Sequence, residues 1–158
     1  MLFGGNIPNH INGFEDIQLP IELKINLANK KFIKPTPIQA QTIPIVLSGI
    51  DLVSIAETGS GKTLAFLIPS LLHVKKNIPR LFLSSSILNA NSANNNQNNI
   101  RKYNCPTCLI ISPTRELAKQ TFTLYESLSK GLRINCNLFT GGLNKSYQIK
   151  SMKWSNNL

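Results

Sequence analysis

Ala56-Glu57-Thr58-Gly59-Ser60-Gly61-Lys62-Thr63 decides how this chain is read. It follows an apolar run at Asp51 to Ile55 and precedes another at Leu64 to Leu72, the order of a strand, a glycine-rich loop and a helix. A phosphate chain needs several backbone N–H groups aimed at one point, so the loop must approach closely without Cβ atoms in the way. Gly59 and Gly61 meet that need. The helix that follows turns its free N–H groups and positive dipole end toward the phosphates, Lys62 adds a mobile charge, and the Thr63 hydroxyl offers a ligand for Mg2+. This is the pattern of a P-loop, G-x-x-x-x-G-K-[ST], with Ala56 where the pattern opens on glycine. The bland alternative is a Gly/Ser turn before a core helix, and the strand–loop–helix register weighs against it.

Upstream, residues 1–13 are rich in Gly and Asn and read as an irregular lead. From Pro20 the alternation Ile21, Leu23, Ile25, Leu27 fits either a helix or a strand; Pro20 and the length of the run favour a helix ending near Asn29-Lys30. Pro35 and Pro37 then forbid a helix until Thr36 caps one with Pro37 in its first position. That helix carries Ile38, Ile43, Ile45, Val46 and Leu47, is expected to bend at Pro44, and stops at Gly49. The helix after the P-loop is expected to reach about Lys76, interrupted at Pro69.

Beyond it the composition changes, for Ser84 to Asn99 is a Ser/Asn tract that buries too little apolar area to offset its ordering entropy. It reads as a disordered surface insertion. Cys108 to Ser112 reads as a strand buried on both faces. Thr114 caps a helix from Arg115 to about Lys130 with Gly131 as its stop, Arg133 to Phe139 is a further strand ending at Gly141-Gly142, and residues 144–158 hold a short helix. Strands alternating with helices imply a parallel sheet with helical crossovers, so the class is α/β.

The 158 residues suffice for one domain with a real core, and 42% of them are apolar. A formal charge of +10, from 17 basic against 7 acidic residues, suits a nucleic-acid partner but fits an evenly solvated basic surface as well. The start has no charged n-region leading into an apolar h-region, and no apolar run nears the ~18 residues of a membrane span, so an intracellular protein, nuclear or cytoplasmic, is expected. Three cysteines do not make a disulfide framework. Cys105-Pro106-Thr107-Cys108 precedes a strand rather than a helix and lacks a second ligand pair, which favours a structural reading over redox or zinc chemistry.

Together these residues resemble the N-terminal RecA-like domain of a DEAD-box ATP-dependent RNA helicase. Phe14 is similar to the upstream aromatic, Phe32 to Gln39 to the Q motif, Ala56 to Thr63 to motif I, Pro113 to Ala118 to motif Ia, and Gly141-Gly142 to the GG doublet. That family favours Ala at the first P-loop position. Lys31 departs from it, standing where the Q motif has Gly.

The resemblance implies a domain over 14–158 with its Q-motif region at 14–42, and assigns roles residue by residue. Gln39 is implied to read adenine, Phe32 to stack on it, and Phe14, Lys34 and Thr36 to belong to the same ATP site. Residues 56–63 (Ala56, Glu57, Thr58, Gly59, Ser60, Gly61, Lys62 and Thr63) are implied to hold the phosphates, with Lys62 and Thr63 catalytic and Thr63 on Mg2+. Pro113, Thr114, Arg115, Gly141 and Gly142 are implied to hold the RNA sugar-phosphate backbone, which carries no sequence information.

The sequence contains no Asp-Glu-Ala-Asp, no Ser-Ala-Thr and no second RecA-like domain. The implied sheet is therefore incomplete on its C-terminal side: the strands at 51–55 and 108–112 would be separated by two strands drawn from sequence after Leu158. The chain alone is expected to bind ATP and RNA weakly without turnover. A non-catalytic truncated product and a P-loop enzyme of the kinase type remain as alternatives.

Overall fold

The computed structural model describes residues 6–90 and 106–154, with side chains described over 6–77 and 106–151. Among them the regular elements are a 3-10 turn at Phe14–Asp16 and helices α1 (Ile21–Asn29), α2 (Pro37–Leu47), α3 (Lys62–Ala90), α4 (Arg115–Ser129) and α5 (Lys145–Trp154). α1 packs on α4, α2 on α3, and α3 on α4. Leu23 and Leu27 of α1, Ile43 of α2, Leu64, Leu67, Ile68 and Leu71 of α3, and Tyr125 and Leu128 of α4 meet in one core with Leu132. Each such aliphatic side chain, fully buried, contributes about 1.5–3 kcal/mol.

The start of α1 follows Pro20 as expected, and its end explains the odd residue of the Q motif. Lys31 has φ +61°, a left-handed conformation that favours glycine. Its N–H donates to Ala28 O at 2.9 Å and that of Phe32 to Leu27 O at 2.9 Å, the paired bonds of a Schellman close. A lysine therefore occupies a glycine's backbone, and the turn it makes brings Phe32 back against the core. The end of α4 is closed from outside instead: Asn26 Nδ2 of α1 donates to both Leu128 O and Lys130 O at 2.9 Å.

Several expectations need correction. Residues 6–13 of the lead carry no helix or strand, yet Ile11 is buried and its N–H donates to Ala40 O at 3.1 Å, which ties residues before the 3-10 turn onto α2. α3 neither breaks at Pro69 nor ends near Lys76. Pro69 removes one backbone hydrogen bond, a loss outweighed by the burial of Leu67, Ile68 and Leu71 around it. Past Lys76 no glycine, the commonest left-handed stop, stands before Gly131, and α3 runs on to Ala90. The Ser/Asn tract expected as an insertion thus begins inside α3 and otherwise lies outside the described residues, as does Cys105 of the C-x-x-C.

The segments expected as strands, 51–55, 108–112 and 133–139, are irregular connections without ladder pairing among the described residues, and the last of them opens on Arg133 in a turn with φ +57°. Extended backbone is a local preference of β-branched residues, whereas a ladder requires a neighbour to exchange hydrogen bonds. Lacking one, Val53, Ile55, Leu109 and Ile111 are 78–91% exposed, although their sequence is that of buried strands.

Candidate functional site

Two places bring site residues together, each where a loop meets the first turn of a helix. At the first, α2 begins at Thr36 and α3 at Gly61-Lys62. Gln39, 3% exposed, uses both ends of its amide: Oε1 accepts from the Thr36 N–H at 3.0 Å, and Nε2 donates to Gly61 O at 3.1 Å. The Thr36 hydroxyl donates to Ser60 O at 2.8 Å. The Gln39–Thr36 bond satisfies the free N-cap N–H of α2, as a capping box does. The same side chain is thereby fixed as a strut between α2 and the glycine-rich loop. An amide with two lone pairs and two protons keeps one of each after these bonds.

Gly61 has φ +93°, and a Cβ there would run into Gln39 Nε2 and crowd Thr36 Oγ1. Its glycine thus serves the contact between the two motifs as much as the approach of a phosphate. Lys62 Nζ turns back on its own loop, donating to Ala56 O and, at 2.6 Å, to Glu57 O. The Ser60 hydroxyl is buried with no hydrogen-bond partner. Thr36, Pro37, Ile38, Ala56, Gly59 and Ser60 line a cleft of about 510 Å³. Phe14 is not on that cleft; it is 7% exposed inside the core. Phe32 is half-buried against the same core, Lys34 is exposed, and Thr58 and Glu57 lie on the open side of the loop.

A tight loop with a buried, unpartnered hydroxyl and a lysine bonded only to carbonyls fits a multiply charged anion such as a nucleotide phosphate chain. The loop has hydroxyl and main-chain donors to spare, and the ammonium has weaker partners than phosphate would give it. Thr63 offers Mg2+ a hard oxygen, and no group of three His, Cys, Asp or Glu residues gathers around any metal position among the described residues. Mg2+ is commonly held by few protein ligands together with phosphate and water, so a lone hydroxyl is compatible with it.

The second place is the start of α4. Thr114 Oγ1 accepts from the Leu117 N–H at 3.3 Å, and Pro113, Thr114 and Arg115 are exposed. The Arg115 guanidinium lies directly over Gly142, whose φ is +78° and where a Cβ would meet Nη2. Gly141 has open space around it. A guanidinium, a helix N-terminus and bare main chain therefore share one solvent-facing surface, a set of donors suited to phosphate.

Gln148, which the sequence reading passed over, holds the loop at Gly141-Gly142. Its Oε1 accepts from the Thr140 N–H at 2.9 Å and its Nε2 donates to Thr140 O at 3.1 Å. The available signal was Asn144, an N-cap type of residue with a polar residue one turn later. Beside α4, the Cys136 thiol is raised by desolvation first and then by Glu126 and Cys108. The residue is exposed as a whole, so solvent weakens that upward direction without reversing it. Burial, then Cys136 and Cys108, raise the Tyr125 hydroxyl likewise. Neither group is charged near neutral pH. No helix among the described residues is long and apolar enough to cross a membrane.

The family model of the DEAD/DEAH box helicase matches residues 36–158. DEAD-box ATP-dependent RNA helicase 14 of Arabidopsis thaliana is 37% identical over 150 residues, which are 95% of this chain and 21% of that protein. The ATP-dependent RNA helicase-like protein DB10 of Nicotiana sylvestris is 36% identical over 149 residues, 94% of this chain and 21% of the relative. Among solved structures, the RNA helicase Prp28 from Chaetomium thermophilum bound to ADP has a TM-score of 0.70 at 32% identity, covering 95% of this chain and 32% of that one. A DEAD box protein from the hyperthermophile Methanococcus jannaschii gives 0.61 at 31% identity, over 90% of this chain and 32% of that one. The chain thus spans about a fifth of these curated relatives and about a third of these solved chains.

Proposed function

This chain belongs to the DEAD/DEAH box helicase family and has its RecA-like α/β fold, and from that premise we propose that it is the ATP-binding part of an ATP-dependent RNA helicase. The observation that carries the proposal is the strut made by Gln39, which joins the Q motif to the P-loop through Thr36 and Gly61. A P-loop enzyme of the kinase type has no need of that upstream glutamine, and the family match sets that alternative aside.

In this reading adenine lies against Phe32 and the remaining donor and acceptor of the Gln39 amide, which distinguish its edge from guanine's. The main-chain N–H groups of 57–63 and the Ser60 hydroxyl take the phosphate oxygens. Lys62 exchanges the carbonyls of Ala56 and Glu57 for phosphate and stabilises charge that develops there. Thr63 would hold Mg2+, which would supply neutralisation of phosphate charge when bound. Lys34 adds a positive charge at the mouth of the site, and Phe14 supports it from the core.

RNA lies along the second surface. Thr114 and the N-terminus of α4 meet one phosphate, Arg115 another, and the Gly142 main chain packs against sugar, with Pro113 and Gly141 shaping the path. Such contacts are blind to sequence. Hydrolysis coupled to local strand separation is an activity of the protein rather than of these residues alone, since no acidic Mg2+-binding motif stands in this sequence. RNA-stimulated ATP hydrolysis by the protein tests the proposal; a rate that single-stranded RNA leaves unchanged would sink it.

A further inference from the structure

The loop from Thr140 to Asn144 is closed into a ring by side chains rather than by a sheet neighbour. Gln148 meets the N–H and the C=O of Thr140 with its own amide, as the backbone of an adjacent strand would. Its Nε2 also reaches Leu143 O at 3.4 Å, so one amide spans the loop from its first residue to its fourth. The far end is pinned by Asn144, whose Oδ1 accepts from the N–H groups of Ser146 at 2.9 Å and Tyr147 at 3.3 Å. Thr140 is buried, and the main chain between the two anchors carries Gly142 beneath Arg115.

Glycines at 141 and 142 leave this loop with more backbone freedom than any other residue pair would, and free loops lose affinity by having to be ordered on binding. The Gln148 clamp removes that freedom beforehand. It does so from the first turn of α5, one helical turn beyond Asn144.

We propose that Gln148 is the positioning residue of the RNA-backbone contact at Gly142: by holding Thr140 and Leu143 it sets the loop's main chain in register with Arg115. The proposal rests on the reading of Arg115 and Gly142 as an RNA surface. Gln148 itself touches no RNA in it.

Gln148→Met tests it, because methionine keeps the length and apolar packing of the side chain while removing every hydrogen bond to Thr140. Binding to a fluorescein-labelled single-stranded oligouridylate of about ten nucleotides is followed by anisotropy at fixed salt. Binding of a fluorescent ADP analogue is measured on the same samples, together with Gln148→Ala, Arg115→Ala and the double variant Arg115→Ala/Gln148→Met. The expected result is a loss of RNA affinity of about tenfold in Gln148→Met, since all three hydrogen bonds of Gln148 to the loop are removed. ADP affinity stays as in the unsubstituted protein. The losses from Arg115→Ala and Gln148→Met combine to less than their product, as they must if both act on one contact.

RNA affinity unchanged in both Gln148 variants, with Arg115→Ala weakened, overturns the clamp and leaves the RNA surface standing. Unchanged affinity in Arg115→Ala as well overturns the surface. Losses that multiply independently, or a parallel fall in ADP and RNA affinity with a lower unfolding midpoint, mark Gln148 as a general stabiliser and overturn its positioning role.

Discussion

The two corners of this chain use the same parts, a loop with a left-handed glycine and the first turn of a helix, but hold them differently. At Gly61 the loop is gripped from α2 by Thr36 and a nearly inaccessible Gln39, and the hydroxyl beside it is buried. At Gly142 the partner is the end of an exposed arginine, and the grip comes from Gln148 in the helix that follows. A small, highly charged ligand rewards a closed site whose donors are fixed before it arrives. A long polymer needs an open surface along which it can continue, with charge that can follow it. On the proposed function, the contrast between the corners matches the contrast between those ligands.

The sharpest way to break the comparison is at Lys62. Lys62→Ala should lower RNA-stimulated ATP hydrolysis by about 10²–10³-fold or more, because it withdraws charge from developing phosphate charge, while the fold and the affinity of the second corner for RNA are unchanged. Circular dichroism and RNA anisotropy on the same preparation separate these outcomes; hydrolysis at the original rate would remove the P-loop from the mechanism.

Alanine at the two glycines comes next. Both substitutions impose a left-handed conformation on an L-residue, costing roughly 1–2 kcal/mol. At Gly61 the added carbon also meets Gln39 and Thr36, so nucleotide affinity should fall and RNA affinity hold. At Gly142 it meets only the flexible end of Arg115, so RNA affinity should fall and nucleotide affinity hold. Parallel losses of both ligands in either variant would show that the corners are not independent.

A smaller effect is expected at Gln39. Gln39→Ala should weaken ATP binding and narrow its advantage over GTP, at about 0.5–1.5 kcal/mol for each hydrogen bond lost. Competition of ATP and GTP against a fluorescent ADP analogue measures both. Equal competition in the unsubstituted protein would deny Gln39 the adenine and leave it the strut alone.

The smallest effect sharpens the first corner's support. Lys31→Gly should stabilise the protein by about 0.5–1 kcal/mol, the relief of a left-handed lysine less the extra entropy of glycine. Urea unfolding monitored at two wavelengths gives the difference; a loss of stability would mean that the lysine side chain holds something its backbone does not reveal.

The sequence was legible wherever a residue's own stereochemistry dictates its structure. Pro20, Pro37 and Thr36 placed the starts of α1 and α2, Gly131 followed the end of α4, and the spacing of Gly59, Gly61, Lys62 and Thr63 identified the loop and the helix after it. These signals are local, because a ring, a missing Cβ or a capping hydroxyl acts within a few residues. What they could not supply were partners distant in the chain. Val53, Ile55, Leu109 and Ile111 carry the pattern of buried strands, yet pairing depends on a neighbour that no local pattern provides.

The same limit applies to the side chains that join separate segments. Asn26 closes α4 from over a hundred residues away, Gln39 reaches Gly61, and Arg115 covers Gly142. Residue types and spacing determined what chemistry the chain could hold. Only tertiary structure decided which of those residues meet: the packing of α1 on α4 and of α2 on α3 brought Asn26 and Gln39 to their partners, and the loop held by Gln148 brought Gly142 under Arg115, because contacts far apart in sequence are fixed by the elements that carry them.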